Sequence, residues 1–446
     1  MPNTDLTAIH ALDVSGNLPP SGTKVWITGF AKDEHAALAR LCERAGYVPT
    51  PFTTGASAVL APFPAPPGIV EEAARTGKMV LSPRHLRETN EARARRTAID
   101  ITDDSIRILD VELPRRQPGS AMLLPEDRFA NLCLDVNFLS AARAVARGAK
   151  NAFPTALEGA TATSKTTAVL WVAHLCRQPC VRLNLNGQTD TGELIGKFVP
   201  NTVDGGPTWR FAEGVVPAAM RKGHWVVLDE LNLALPEVLE RLNPVLEMPP
   251  SLILSENLGE RFGMGGDIPI NDFRIFATMN GSEYSGRSVL SPAFRDRFTL
   301  WTILDPPAEA EYRALLFRLV HGVQPSFVLD GIEWRSPNAQ PVFPGLDQEP
   351  GIDTLLDRFA AFHAAVSHAA GGPGGSDLGR ARRERYVFSR RAMLTAMTLF
   401  AEKVSMGIGI AAACREAIEI VYVSRVAPGP DRAALRSSLR AVGLAA

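Results

Sequence analysis

The sequence predicts an α/β protein built on a doubly wound parallel sheet, with a small α/β module before the sheet and a mostly helical region after it. Strand-like and helix-like segments alternate between residues 126 and 306, and helices are predicted between the strands at Lys165–Cys176, Val215–Lys222 and Leu235–Leu246. A shorter alternation of the same kind runs from Gly22 to Glu88. After residue 306 the apolar residues recur mainly at helical spacing, and the glycine-rich stretch Gly371–Gly379 interrupts them. We therefore expect four regions: 1–90, 91–125, 126–306 and 307–446.

Bulk composition is that of a globular chain and excludes several classes. A length of 446 residues is enough for two or three domains. The formal net charge of -1 gives no global basic bias toward nucleic acid, so DNA is not a favoured partner. The first residues do not resemble a signal peptide, and no apolar run is long enough for a membrane span. These features predict a cytoplasmic protein without membrane contact.

The first module is predicted to be a small parallel sheet with helices between its strands. Its β-rich and helical segments follow one another in this order: Lys24–Thr28, Asp33–Ala45, Ala56–Ala61, Ile69–Thr76, Met79–Ser82 and Pro83–Glu88.

The order of these segments, with the stretches KVWITGF and AARTGKMVLSPRHL, resembles a BRCT domain. The tryptophan usual in the family's last helix is replaced by His85. Thr28-Gly29 matches part of the phosphate grip of phosphopeptide-binding members, but the lysine of that grip falls near Ile69. The resemblance implies a recognition domain over residues 1–90 that docks a protein partner, with phosphopeptide or DNA binding as alternatives.

Residues 91–125 show weak periodicity and are expected to be linker or peripheral structure. The basic run Ala92–Arg96 is interpreted as a solvated helix face rather than a phosphate contact.

A phosphate-binding loop is the central chemical signal, and it precedes a predicted helix at Lys165–Cys176. Its spacing is that of G-x-x-x-x-G-K-[ST], with serine at the second glycine. The loop and helix start comprise Gly159, Ala160, Thr161, Ala162, Thr163, Ser164, Lys165, Thr166 and Thr167.

Phosphate chemistry explains these residue types. Backbone N–H groups curl around phosphate oxygens, and the following helix points its positive end at them. Lys165 would neutralise the β- and γ-phosphates of ATP, and Thr166 would bind Mg²⁺. Ser164 adds a Cβ where glycine is preferred. The alternative interpretation is an ordinary helix start capped by serine or threonine.

A second signal is the apolar strand Trp225–Leu228, which ends in Asp229 and Glu230. A buried parallel strand has such a continuous apolar run, and its carboxyl end lies beside a phosphate loop in this fold class. Asp229 would hold Mg²⁺, and Glu230 would polarise the attacking water. Together with the loop, these carboxylates predict an ATP site.

Two further polar positions follow. The strand Phe273–Thr278 leads to Asn280, which could orient the lytic water or only cap a turn. The segment Leu290–Phe298 carries Arg295 and Arg297, and one of these could reach a neighbouring subunit's phosphates as an arginine finger. A salt-bridged helix end is the alternative, and spacing does not choose between the two arginines.

Residues 150–305 resemble AAA+ ATPases of the dynein-related, midasin-like branch, close to the MoxR group. The resemblance is carried by RLNLNGQTDTGELIGKFVP, WVVLDELNLALPEVLERLNPVLE, FRIFATMN and SEYSGRSVLSPAFRDRF. It implies Walker A at Gly159–Thr166, Walker B at Asp229 and Glu230, and sensor 1 at Asn280. It favours Arg297 over Arg295 as the finger. It also implies sensor 2 at Arg391.

The same resemblance implies two hairpin insertions, Val199–Phe211 and Ser251–Ile270, with Gly205-Gly206 at the tip of the first. Phe198 and Trp209 either grip a substrate or pack the hairpin. By resemblance the chain is an ATPase subunit of a homo-oligomeric ring, a hexamer, that remodels a protein client with a von Willebrand A-type partner. A nucleotide-gated scaffold, motivated by Ser164, and a DNA-associated ATPase in repair or defence remain as alternatives.

Overall fold

A computed structural model describes residues 23–44, 47–51, 54–62, 65–82, 96–117, 126–161, 163–203, 206–281, 290–371, 378–379 and 386–444. The chain divides into two compact units. The first comprises Met1–Thr97 with Ser326–Arg335, and the second comprises Ala98–Pro325 with Ser336–Ala446.

The first unit contains a four-stranded parallel sheet of order β2-β1-β3-β4. Val25, Leu60 and Leu81 form its core with the helical residue Cys42. The strand–helix alternation predicted for this module is thus found, with Val48–Thr50 as an additional strand. The predicted helix Pro83–Glu88, with His85, lies outside the described residues. The elements are β1 Lys24–Ile27, α1 His35–Arg44, β2 Val48–Thr50, β3 Ala58–Leu60, α2 Pro67–Arg75 and β4 Met79–Leu81.

Residues 98–114, within the region expected to be linker or peripheral structure, form an antiparallel meander. The first unit also holds the two-residue strand β5 (Arg96–Thr97). The meander consists of β6 Ile99–Ile101, β7 Ser105–Ile108 and β8 Val111–Pro114. Strands of three or four residues are too short for their alternation to be recognised in a sequence window.

A long helix, α3 (Val136–Asn151), packs against this meander. Arg143 Nε lies 2.6 Å from Asp110 Oδ1, and Arg147 Nη2 lies 2.9 Å from Asp110 Oδ2. The two arginines hold the pKa of Asp110 at about 2, against the opposing effect of its partial burial. The meander is therefore an integral part of the second unit.

The core of the second unit is a five-stranded parallel sheet of order β10-β13-β16-β9-β17. Two hairpins, β11–β12 and β14–β15, extend from it. The strands are β9 Thr155–Gly159, β10 Cys180–Asn184, β11 Gly196–Val203, β12 Gly206–Glu213, β13 Trp225–Asp229, β14 Ser251–Leu254, β15 Glu260–Gly263, β16 Arg274–Met279 and β17 Leu300–Leu304.

The path of the chain makes this sheet doubly wound. From β9 the chain crosses to the far edge at β10, and it then returns through β13 and β16 to β17 beyond β9. Since parallel crossovers are right-handed, this reversal places helices on both faces. The predicted α/β fold with a phosphate-loop sheet is confirmed. The helices between the strands are α4 Lys165–Leu175, α5 Thr191–Leu194, α6 Val215–Lys222, α7 Pro236–Glu240 and α8 Pro292–Asp296.

The predicted single helix Leu235–Leu246 is instead α7 followed by a separate 3₁₀ turn, Asn243–Leu246. Pro244 explains the break, because its ring lacks an N–H group and clashes with the preceding turn of an α-helix.

Residues after 306 are mostly helical, as predicted, and have their own apolar core around Leu316, Phe359, Phe362 and Tyr422. The described residues here also include an antiparallel hairpin, β18 Ser326–Leu329 and β19 Ile332–Arg335, which clusters with the first unit. The helices are α9 Glu309–His321, α10 Ile352–Gly371, α11 Arg390–Ser405, α12 Ile410–Ile418 and α13 Pro430–Ala441. In the described part of the chain, no helix combines the length and apolar character needed to cross a bilayer.

Candidate active site

The loop between β9 and α4 has the backbone of a phosphate cradle. A Cβ at Gly159 would lie 2.8 Å from the carbonyl oxygen of Leu304 on β17, so only glycine fits there. Ser164 has φ 62° and ψ 21°, in the left-handed region, and its side chain makes no capping hydrogen bond. The alternative of an ordinary serine cap is therefore wrong. A left-handed residue before a helix lets successive N–H groups converge on one anion. Ala162 lies outside the described residues.

Lys165 is the first residue of α4, and its side chain turns back across the loop. The residue is only 7% exposed. Its Nζ donates to the carbonyl oxygens of Gly159 at 2.9 Å and Ala160 at 2.8 Å. It also donates to Thr163 Oγ1 at 3.2 Å and to Asn280 Oδ1 at 2.9 Å. The ammonium group is thus held at the carboxyl end of β9, next to the loop that it would serve.

Asp229 ends β13 and is buried. Thr166 Oγ1 donates to Asp229 Oδ1 at 2.7 Å, and Thr278 donates to the same oxygen from the neighbouring strand β16. Arg182, on β10, donates through Nε to Asp229 Oδ2 at 2.8 Å and through Nη2 to the same oxygen. The hydroxyl and the carboxylate proposed to bind magnesium are therefore adjacent.

Glu230 follows the strand with φ 59° and ψ 46°, another left-handed residue. This reversal keeps its carboxylate at the edge of the sheet. Asn280 Nδ2 donates to Glu230 Oε1 at 2.9 Å and to Oε2 at 3.1 Å. Asn280 is buried, and its backbone carbonyl oxygen accepts a hydrogen bond from Asn232 Nδ2 at 2.9 Å. Asn280 therefore does more than cap a turn, because its side chain contacts both Lys165 and Glu230.

This donor set fits a magnesium-bound triphosphate. A hydroxyl and a carboxylate are hard oxygen ligands of the kind that Mg²⁺ takes, and phosphates usually complete its coordination. The cradle N–H groups and the Lys165 ammonium supply positive charge on the adjoining side. The Asn280 side chain lies between the Lys165 ammonium and the Glu230 carboxylate and contacts both.

The two finger candidates have different surroundings. Arg295 Nη2 lies 3.1 Å from Glu158 Oε2, and its guanidinium stacks 4.2 Å from the centroid of the Trp301 ring. Arg297 Nη1 lies 2.8 Å from Glu247 Oε1, in an exposed ion pair. Both arginines belong to or follow α8, which is anchored by the Ser291 side chain accepting from the Phe294 N–H at 3.2 Å.

Sensor 2 was assigned to Arg391, and the structure distinguishes it from its neighbour. Arg390 is buried, and its Nη2 lies 2.6 Å from Asp135 Oδ2. Asp135 in turn caps α3 by accepting from the Phe138 N–H at 2.9 Å. Arg390 thus has a structural ion pair, while Arg391 is exposed on the first turn of α11. The role of Arg391 stays a prediction.

Both insertions are hairpins, as predicted, although Gly205 at the first tip lies outside the described residues. Phe198 is 54% exposed and Trp209 is 67% exposed. Phe198 also contacts Phe211 edge-on, with ring centroids 5.5 Å apart. Arg221 joins the hairpins: it pairs with Glu213 of β12 and lies 3.0 Å from Glu260 of β15.

Sequence reasoning missed three residues at this edge: Arg182, Thr278 and Glu158. Thr278 and Glu158 lie on strands next to predicted site residues, so strand pairing could have suggested them. Arg182 gave no comparable signal, because it is an exposed residue on the edge strand β10, where charged side chains are common. Pairing of Arg182 with Asp229 could not be inferred without the strand order.

Comparisons with known proteins agree with this geometry. Residues 154–298 match the family model for the AAA domain of the dynein-related subfamily. Midasin of Giardia intestinalis is 33% identical over 177 residues, which are 39% of this chain and 4% of that protein. Midasin of Dictyostelium discoideum is 39% identical over 157 residues, which are 35% of this chain and 2% of that protein.

A bacterial relative extends the range of similar proteins. The uncharacterized protein YojN of Bacillus subtilis is 29% identical over 154 residues, which are 34% of this chain and 46% of that protein. The chain therefore spans less than half of YojN and only a small fraction of the midasins. A solved chain from Cytophaga hutchinsonii covers 70% of this chain and 92% of its own length, at 15% identity and a TM-score of 0.33.

The matched segment contains the phosphate loop, both acidic residues, Asn280 and both finger candidates, which the structure places on the sheet and helices described above. Residues 154–298 form an AAA domain of the dynein-related subfamily.

Proposed function

We propose that this chain is an ATP-hydrolysing subunit of an oligomeric ring, a hexamer, that remodels a protein client. The observation that best supports this proposal is that Lys165, Asn280 and Glu230 lie with the Thr166–Asp229 pair at one edge of the sheet. These residues come from the start of α4 and from the carboxyl ends of β13 and β16. A structural role alone does not require a cation, an amide and two carboxylates in contact at the carboxyl ends of parallel strands.

Each residue would have a distinct task. The cradle N–H groups and Lys165 would bind the phosphates of ATP. Thr166 and Asp229 would hold Mg²⁺, which supplies charge neutralisation between the β- and γ-phosphates when bound. Glu230 would take a proton from the attacking water, and Asn280 would orient that water. Arg297 of a neighbouring subunit would stabilise charge developing on the γ-phosphate.

The hairpins would transmit the cycle to the client. Phe198 and Trp209 are exposed aromatic side chains on β11 and β12 and are suited to grip an unfolded segment. Arg221 connects both hairpins, so that a shift of one moves the other. The helical region after residue 306 would act as the lid. Recruitment through the BRCT-like module, and a von Willebrand A-type partner, belong to the same proposal.

The Glu230→Gln substitution tests this function. The variant should bind ATP with the affinity of the wild type and lose turnover by about a hundredfold or more, since the general base is gone. Glu240→Gln is the matched control, because Glu240 is an exposed carboxylate on α7 away from the site. Normal hydrolysis by Glu230→Gln would refute the assignment.

A nucleotide-gated scaffold is the second candidate, and the left-handed Ser164 is the observation that favours it. A Cβ in the cradle constrains how closely phosphates approach the loop. Steady-state ATPase assays on the assembled oligomer separate the two candidates. Background hydrolysis combined with measurable ATP binding would establish the scaffold.

A further inference from the structure

A cluster outside the predicted site joins the phosphate-loop strand to the finger helix. Glu158 is the residue before Gly159 on β9. Its Oε2 accepts from Arg295 Nη2 at 3.1 Å and from Trp301 Nε1 at 2.8 Å. The Arg295 guanidinium also stacks on the Trp301 ring, 4.2 Å from its centroid. Three side chains from β9, α8 and β17 thus hold one another.

This arrangement restrains Arg295 within its own subunit. Its guanidinium has a charge-assisted hydrogen bond on one side and an aromatic face on another. The Glu158 side chain is only 16% exposed, so solvent screens the pair less than a fully exposed one. An arginine that reaches a neighbour would have to give up both contacts.

Arg297 has a more exposed acidic partner. Glu247 is 56% exposed whereas Glu158 is 16% exposed, and the side chains of Arg297 and Arg295 are themselves 34% and 47% exposed. Because solvent screens exposed ion pairs, the Arg297 pair is the weaker of the two. A weak pair of this kind is easily exchanged for phosphate oxygens. Arg297 also lies two residues beyond Arg295, so the position of one limits the position of the other.

We infer that Arg295 is a positioning residue: through Glu158 and Trp301 it fixes α8 on the phosphate-loop strand and presents Arg297 to the ATP of the neighbouring subunit. The inference rests on the proposed ring ATPase. It has an unexpected consequence for Glu158. This carboxylate lies one residue from the Gly159 carbonyl that contacts Lys165, yet its main effect falls on the neighbour's site.

A double-mutant cycle tests whether Arg295 acts through Glu158. Glu158→Gln and Arg295→Gln should each lower kcat by about tenfold to a hundredfold, the scale of a misplaced catalytic group, with KM little changed. The double variant should be no slower than either single variant, because both remove one restraint. A multiplicative loss in the double variant would show that Glu158 and Arg295 act independently. A harmless Glu158→Gln beside an inactive Arg295→Gln would assign the finger to Arg295. Either result overturns the inference.

Mixed rings test the direction of action. Lys165→Ala subunits cannot use ATP, but they retain an intact finger helix. Mixing them with Glu158→Gln subunits should restore turnover, because a Lys165→Ala neighbour supplies an intact finger to the ATP site of a Glu158→Gln subunit. If Glu158 only shapes its own phosphate loop, the mixture stays as slow as Glu158→Gln alone, and the inference fails.

Arg297→Gln mixed with Lys165→Ala is the reference for these rings. Recovery in the reference without recovery for Glu158→Gln rejects the inference alone. No recovery in the reference rejects the proposed finger and ring, and the inference with them. Glu158→Asp, which keeps the charge but withdraws the carboxylate, replaces Glu158→Gln if that variant does not assemble, and the same outcomes apply.

Discussion

Replacing Ser164 by glycine should stabilise the second unit without harming nucleotide binding. Ser164 has φ 62°, and its side chain makes no capping bond that the change would remove. A left-handed conformation costs a residue with a Cβ about 1 to 2 kcal/mol. Glycine has more freedom in the unfolded chain, which offsets about 0.4 to 1 kcal/mol of that gain. The expected net stabilisation is about 0.5 to 1 kcal/mol.

Ala152→Gly is the matched control for this prediction. Ala152 is exposed and has φ 56° at the end of α3, away from the cradle. Both variants should shift urea unfolding, followed by circular dichroism, to higher concentration. The affinity of Ser164→Gly for a fluorescent ADP analogue should equal or exceed that of the wild type, and the affinity of Ala152→Gly should be unchanged.

Two results would refute this reasoning. A loss of stability in Ser164→Gly, alongside a gain in Ala152→Gly, would show that the serine side chain stabilises the loop. Weaker nucleotide binding would show that Ser164 contributes to the cradle itself. An increase in kcat would identify the Ser164 Cβ as a brake on hydrolysis, the property on which the scaffold alternative depends.

Three further outcomes follow from contacts of the second unit. Arg182→Gln removes the hydrogen bonds that orient the Asp229 carboxylate, so ADP binding should require about tenfold more Mg²⁺ in a titration. An unchanged Mg²⁺ dependence would exclude a positioning role for Arg182. Arg221→Gln should speed amide hydrogen exchange in both hairpins, measured by mass spectrometry, and faster exchange in one hairpin alone would reject the coupling. Burial, with the nearby Arg390 charge, lowers the pKa of His363 to about 3. Its neutral form therefore stabilises the fold above pH 6.5, and this contribution declines as the pH falls toward 3. Between pH 7 and pH 5, the free energy of unfolding of His363→Asn in urea should fall by about 2 kcal/mol less than that of the wild type. An equal fall in the two proteins would contradict the burial of a neutral His363.

Much of the central sheet was predictable from the sequence, because its buried strands are continuous apolar runs. The predicted Trp225–Leu228 differs from β13 by one residue at its end, and the predicted α6 matches Val215–Lys222. Short strands were harder. The meander of residues 98–114 and strand β17 escaped prediction, since runs of three to five residues carry little periodicity.

The candidate site was predictable where residue type and strand end coincide. Asp229, Glu230 and Asn280 end or follow buried strands, and Lys165 and Thr166 begin the helix after the loop. The structure joins Lys165 to Glu230 through Asn280, and it pairs Thr166 with Asp229. What the sequence could not supply was the order of the strands. Contacts between distant positions, such as Arg182 with Asp229 or Glu158 with Arg295, depend on that order and on side-chain direction. The backbone conformation of Ser164 was likewise invisible in a motif match.

The strand order also bears on biosynthesis. Strand β16 (Arg274–Met279) lies between β13 and β9 but leaves the ribosome after both of them. Until it arrives, the five-residue strands β13 and β9 have unpaired edges, which are ready templates for association with other chains. We expect nascent chains that end before residue 274 to aggregate or to need a chaperone, and the nucleotide pocket to close only when β16 inserts.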